Sequence, residues 1–333
     1  MARITLPRVA LIVGVLVLAA FPLVGSTFYI QLGAKIMIMA IFALSLDLLV
    51  GHTGLVSLGH AAYFGLAAYV LALISPKYEA ASVWITLPVA MAVAAAAALI
   101  IGCLVLRTAG VYFIMVTLAF AQMLYSILHD TKLGGGSDGI YITVRPELNV
   151  VGVKPLDLEN PVQFYYFVLV FLIGVYGLLS HVLHAPFGRA LAGIKMNEGR
   201  MRAIGYPVFG YKLGAFVLAG GLAGLAGYLA ACQFGFVNPE ILAWHHSGTV
   251  LMMVILGGMG KLHGAVLGAL VYVLLQEILS APALLGPYAK HWQLAVGSLI
   301  VLIVLALPDG LAGLFDRANK RSISHTANGG SSE

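Results

Sequence analysis

Charge is the first thing this chain lacks. Only 9% of its 333 residues are Asp, Glu, Lys or Arg, against 61% hydrophobic, and the mean hydropathy is +1.00. A water-soluble domain carries about 25% charged residues, so most of this surface must meet something other than water. Cysteine is also scarce. Cys103 and Cys232 each sit inside an apolar run and read as small hydrophobes. Two histidine pairs, His181/His184 and His245/His246, fall on opposite sides of the predicted membrane, the second pair outside it. A metal needs three or four convergent ligands, so no metal site is expected. No phosphate-binding loop is present. Gly134–Gly139 lacks the preceding strand and the following Lys-Ser/Thr of a nucleotide cradle, and reads as a structural turn. No Ser-His-Asp or Cys-His arrangement stands out. The chain is therefore read as a non-enzyme with no cofactor of its own. The net charge of +5 does not signal nucleic acid, because the basic residues lie in short loops between apolar segments.

Long apolar runs are what the chain has. A spanning helix needs roughly 20 mostly apolar residues, and ten segments qualify or nearly qualify: 9–25, 30–50, 60–75, 83–106, 111–129, 163–183, 213–233, 248–259, 264–279 and 291–307. The first follows a basic start but shows no small-residue cleavage site, so it is expected to be retained. The third, eighth and ninth are short and flanked by glycine, the pattern of broken or re-entrant segments, tolerated only where they pack on protein or line a cavity. The expected architecture is an all-α polytopic membrane domain over 1–316, followed by a polar Ser- and Gly-rich tail over 317–333 that is expected to be disordered.

Basic residues favour the cytoplasmic side. With ten spans and the N-terminus inside, the inner loops and tails hold twelve of them: Arg3, Arg8, Arg107, Arg189, Lys195, Arg200, Arg202, Lys212, Lys261, Arg317, Lys320 and Arg321. The outer loops hold five: Lys77, Lys132, Arg145, Lys154 and Lys290. The expected orientation is N-in, C-in, multi-pass.

The longest inner loop runs PFGRALAGIKMNEGRMRAIGY from Pro186 to Tyr206. Leu191, Ile194, Met201 and Ile204 form an apolar stripe at helical spacing, and Asn197 can cap a second short helix from Glu198, with Gly205 as its stop. Two readings stay open on physics alone: a surface helix lying at the lipid headgroups, or a knob that docks into a groove of a cytoplasmic partner.

This loop resembles the coupling loop of the branched-chain amino-acid ABC permeases of the LivM type. The residues that carry the resemblance are Gly188, Arg189, Ala190, Leu191, Ile194, Lys195, Asn197, Glu198 and Gly205, with a departure in spacing around Arg202 and Ala203. Leu49–Tyr69, Gly134–Ile140, Gly257–Ala269 and Leu307–Phe315 resemble further segments of that family in the expected order. The resemblance implies a bacterial inner-membrane permease subunit of an ABC importer working by alternating access. It also implies a homologous second permease in a heterodimer, two cytoplasmic ATPases that hold the ATP and magnesium, and an extracytoplasmic solute-binding protein. The solute it implies is a branched-chain amino acid; relatives of similar pattern import urea, short amides or other small carboxylates. A different class, an ion-coupled carrier or channel, would instead use Asp47 and Glu277 as coupling residues. The ATPase-coupling candidates are Gly188, Arg189, Leu191, Ile194, Lys195, Asn197, Glu198, Arg202 and Gly205.

Polar residues within spans are functional candidates by default. Asp47 lies a turn before Gly51, Ser57 and His60 flank Gly59 in the segment GHTGLVSLGH, and Gln122 sits in the fifth span. An interrupted helix exposes backbone groups that a solute can use. The translocation-path candidates are therefore Asp47, Gly54, Ser57, Gly59, His60, Gln122, Gly258 and Gly260. For each, an inter-helix hydrogen bond is the competing role. Gly220, Gly224, Gly227, Gly264 and Gly268 make small-residue faces, fit for a subunit interface or for the interior of one bundle.

Overall fold

The computed structural model describes residues 14, 17–23, 25–76, 78–150, 153–281, 291–307 and 310–313. The expected tail at 317–333, the domain boundary at 316 and most of the expected first span lie outside the described residues. Within that first span, 17–20 are helical and Phe21–Leu23 form a 3-10 turn.

The main elements are α1 (Thr27–Asp47), which continues as a π-helical segment over Leu48–Thr53, then α2 (His60–Ile74), α3 (Val83–Val105) and α4 (Val111–Asp130). Next come β1 (Ile140–Tyr141), β2 (Leu148–Val150), β3 (Val153–Leu156), α5 (Pro161–His184), α6 (Pro186–Met196), α7 (Glu198–Ala203) and α8 (Val208–Phe234). Last are β4 (Phe236–Val237), α9 (Trp244–Gly257), α10 (Leu262–Ser280) and α11 (Trp292–Ala306). Among the described residues seven helices are long and apolar enough to cross a membrane, and His60–Ile74 is a shorter apolar one. These spanning helices are predominantly apolar, as membrane helices are. The bundle is all-helical as expected, and the short strands lie outside it. Each belongs to a two-stranded antiparallel pair, β1 with β4 and β2 with β3, and all lie in the connections.

Two spans form the centre. Most of the apolar stretch of Thr27–Thr53 and of α8 is buried inside the bundle, whereas most of α4 is not. Glycine explains how α8 reaches the middle. A Cβ on Gly220 would overlap Ala98, one on Gly224 would overlap Ala94, and one on Gly227 would overlap the Phe64 carbonyl. These glycines therefore pack α8 against α2 and α3 inside this chain, which settles the choice the sequence left open. Gly264 and Gly268 likewise face the backbone of α9.

The backbone contacts sort the connections onto two faces. On one, Glu147 N donates to Ala81 O and Ile142 N to Gly235 O, and Gln233 Nε2 donates to Gln31 O. Arg145 ties that face together by donating to the carbonyls of Leu158 and Gln233. The opposite face carries α6 and α7, the end of the π segment, the 258–261 turn and Gly310, whose Cβ would overlap Gly258. The segment 130–160 and the basic linker thus lie on opposite faces.

Candidate functional site

The interrupted span is the first element of the site. The π segment leaves α-helical register after Asp47 and ends at Gly54 with φ of 75°, a left-handed conformation that glycine adopts freely. Residues 54–59 then run without helix until α2 starts at His60. The start of α2 is deep in the bundle, so its orphan amides need internal partners. Ser57 Oγ accepts from Gly59 N (3.2 Å), Thr117 Oγ1 accepts from Leu58 N (3.3 Å), and Ser247 Oγ accepts from Ala61 N (2.8 Å). A Cβ on Gly59 would overlap the Thr117 carbonyl. Ser57 and Gly59 therefore shape the break by filling hydrogen bonds and making room.

His60 is 0% exposed and lies parallel to Phe42, with ring centroids 5.6 Å apart. Ser45 Oγ donates to Phe42 O (2.7 Å), so the 2.9 Å contact with His60 Nε2 must have the imidazole as donor. The proton then sits on Nε2, and Nδ1 is left as a buried acceptor with no partner. His246 also stacks near Phe42, at 5.7 Å, and contacts Phe64 at 5.3 Å. This corrects the expectation that His246 lies outside with His245. Helix α9 begins at Trp244, four residues before the expected 248, which carries the second histidine into the bundle.

A second cluster joins three segments at the linker face. Asp47 is 0% exposed, and its Oδ1 accepts from Gly260 N at 2.8 Å. His52 Nδ1 donates to Asp47 O (3.3 Å) and stands 3.7 Å from Oδ2. Lys195 keeps much of its surface exposed, yet its Nζ donates to Gly51 O at 2.5 Å. A Cβ on Gly51 would overlap both the Asp47 carboxylate and the Gly260 backbone, so only glycine lets the two segments approach this closely. Gly258 (φ 108°) and Gly260 (φ 80°) shape the opposing turn. Sequence reasoning placed Asp47, Gly54, Gly258 and Gly260 in one set and Lys195 in another; the fold brings the two sets together.

The linker forms two helices, with Asn197 Oδ1 accepting from Arg200 N (2.9 Å) at the start of α7 and Gly205 at φ 90° beyond its end. Leu191 and Ile194 are buried, and a Cβ on Gly188 would overlap the Leu183 backbone, so α6 is seated firmly on the bundle. The expected apolar stripe holds only in this half, because Ile204 is 65% exposed. Met196 (88% exposed) and Ile204 are exposed, as are Arg189, Arg200 and Arg202 of the same linker. Glu198 binds within the chain: Oε1 accepts from Arg202 (2.7 Å) and Oε2 from Lys212 (2.5 Å), bracing α7 against the base of α8.

Gln122 is not brought to either cluster. It is exposed on α4, which faces away from the bundle centre. Glu277 is half-buried near the end of α10, on the far face from Asp47. Among the described residues no group of three or more His, Cys, Asp and Glu side chains is placed to hold a metal.

An interrupted apolar span joined to a structured linker on one face of a multi-pass bundle is the architecture of a membrane transport protein. A family model described as branched-chain amino acid transport system, permease component, matches residues 28–305. The chain is 32% identical over 328 residues to the high-affinity branched-chain amino acid transport system permease protein LivM of Escherichia coli (strain K12), covering 92% of this chain and 75% of that one. The LivM protein of Salmonella typhimurium is matched to the same extent. The permease protein BraD of Pseudomonas aeruginosa is 28% identical over 153 residues, 45% of this chain and 47% of that one. No solved structure matches the chain. The chain belongs to the branched-chain amino acid transport permease family, whose members are the membrane permease subunits of ABC importers.

Proposed function

We propose that this permease subunit carries branched-chain or closely related amino acids across a bacterial inner membrane by ATP-driven alternating access. The linker face would be cytoplasmic and both chain ends would lie on that side. The names of the relatives in Escherichia coli and Salmonella typhimurium support the solute class. The excess of Lys and Arg in the loops assigned to the linker face supports the orientation.

Membership in the family implies an ATPase and a solute-binding protein as partners. In our reading, two ATPases bind ATP and magnesium, this chain binds no cofactor and catalyses no reaction, and a homologous second permease completes a heterodimer. The observation that carries the coupling role is the linker's two-sidedness. Leu191 and Ile194 seat it on the bundle, while Met196, Ile204, Arg189 and Arg200 stay exposed. Exposed apolar and basic side chains on one linker suit a groove in a partner protein.

The experiment is co-purification and uptake in proteoliposomes with the Arg189→Glu variant. Exposed Arg189 makes no intrachain ion pair among the described residues, so the variant is expected to accumulate normally, hold less ATPase and lose uptake. Wild-type uptake by that variant, or uptake by the native assembly after ATP depletion, would overturn the reading.

A further inference from the structure

We infer that Lys195 and Asp47 form a two-position latch that passes motion of the linker to the 258–261 turn. The inference rests on the reading that α6 and α7 receive an ATPase. Both residues would be positioning residues, acting on the path through the segments they hold.

Three irregular pieces of backbone meet at this point. The π segment Leu48–Thr53 is one, the glycine turn at 258–261 is another, and the end of α6 is the third. Single π-helical turns within α-helices concentrate at functional sites, because the extra residue can be redistributed at little cost. No regular helix joins the linker to the 258–261 turn directly. The connection runs Lys195 Nζ to Gly51 O, through the π segment to Asp47, and from Asp47 Oδ1 to Gly260 N.

The Asp47 carboxylate is only half used. Oδ1 has its donor, but Oδ2 is buried and has no hydrogen-bond partner. His52 is near it at 3.7 Å, too long for a hydrogen bond. A buried carboxyl oxygen without a partner is costly, and a conformation that supplies one is favoured by comparison. Lys195 can supply it. Its ammonium has three donors on a flexible stem, and it already holds Gly51, the residue whose Cβ would overlap the Asp47 carboxylate. Displacing α6 would carry the ammonium from the carbonyl to Oδ2. That releases the end of the π segment and tightens Asp47. Two discrete hydrogen-bonded positions make a bistable element that an outside force can bias.

The test uses the whole transporter, with its ATPases and binding protein, in proteoliposomes. Uptake and ATP hydrolysis are measured in the same sample to give solute moved per ATP. Lys195→Met is expected to retain the ATPases and their hydrolysis, while solute per ATP falls tenfold or more. Lys195→Arg keeps a charged donor and is expected to restore most of it. Asp47→Asn should lower the ratio similarly, and the double variant should be no worse than Lys195→Met alone, because both act through one link. Should Lys195→Met fail to accumulate, Lys195→Gln, which keeps a neutral donor on a shorter stem, is read in the same way. An unchanged ratio in Lys195→Met, or losses that multiply in the double variant, would overturn the latch. Failure of the coupling reading itself looks different: native protein would then co-purify with no ATPase.

Discussion

Two glycine-lined seams run through this bundle. In the first, Gly220, Gly224 and Gly227 of α8 press against Ala98, Ala94 and the Phe64 backbone, and the side-chain hydrogen bond that crosses it, Thr86 to Tyr228, is between neutral hydroxyls. In the second, Gly51, Gly257, Gly258, Gly260, Gly264 and Gly310 bring backbones equally close, but a buried carboxylate and a lysine cross it. The first joins regular helices along their length; the second joins turns and a π segment. A seam of close-packed regular helices has one good packing, since any shift loses contacts without gaining others. A seam held by hydrogen bonds can exchange one partner for another. The difference divides the molecule into a frame and a joint.

The comparison can be broken first at the frame. Gly227→Val places a side chain against the Phe64 backbone, which cannot move aside as a flexible side chain could. Overpacking costs about 1–3 kcal/mol and sometimes more; here the upper end is expected, with loss of accumulation in the membrane. Gly177→Val, which meets nothing within 4 Å in the described structure, is the control and should accumulate normally. Normal accumulation of Gly227→Val would mean that α8 is not fixed in place.

A smaller effect is expected at the break itself. Ser247→Ala removes the acceptor for Ala61 N and leaves a buried amide unpaired, a cost of about 1–3 kcal/mol. Thermal unfolding in detergent should shift down, and Ser247→Thr should recover most of the loss. No shift would show that the start of α2 finds another partner. The smallest effect belongs to Gln122→Leu. With Gln122 exposed on α4, stability should change by less than about 0.5 kcal/mol. A large drop in the isolated subunit would place this residue in an internal contact.

Much of this division could be read in the residues. Span positions follow from apolar length, and the linker's two helices follow from Asn197 as cap and Gly205 as stop. The start of α9 was harder, because Trp244, His245 and His246 interrupt the apolar run that marks a span. The β1–β4 pairing joins distant parts of the chain through two residues each, too short to leave a periodic pattern. Gln122 was legible as polar but not as outward-facing, because α4 is apolar on every side. Lys195 was legible as part of the linker, yet its bond to Gly51 depends on how α6 sits on the bundle, which no local pattern encodes. The candidate residues were visible singly; their meeting was not.

The central claim is that the joint follows the linker and moves against the frame. Spin labels can test it in a chain with Cys103 replaced by Ser, carried in the full transporter with and without trapped nucleotide. One pair joins Met196→Cys on the linker to Met259→Cys in the turn; the other joins Met259→Cys to Leu104→Cys at the end of α3. All three native side chains are exposed. The first distance should change by no more than the step of one side chain between two partners, and the second should shift by more when nucleotide is trapped. A fixed second distance, or a first distance that opens while the turn stays still, would contradict the account.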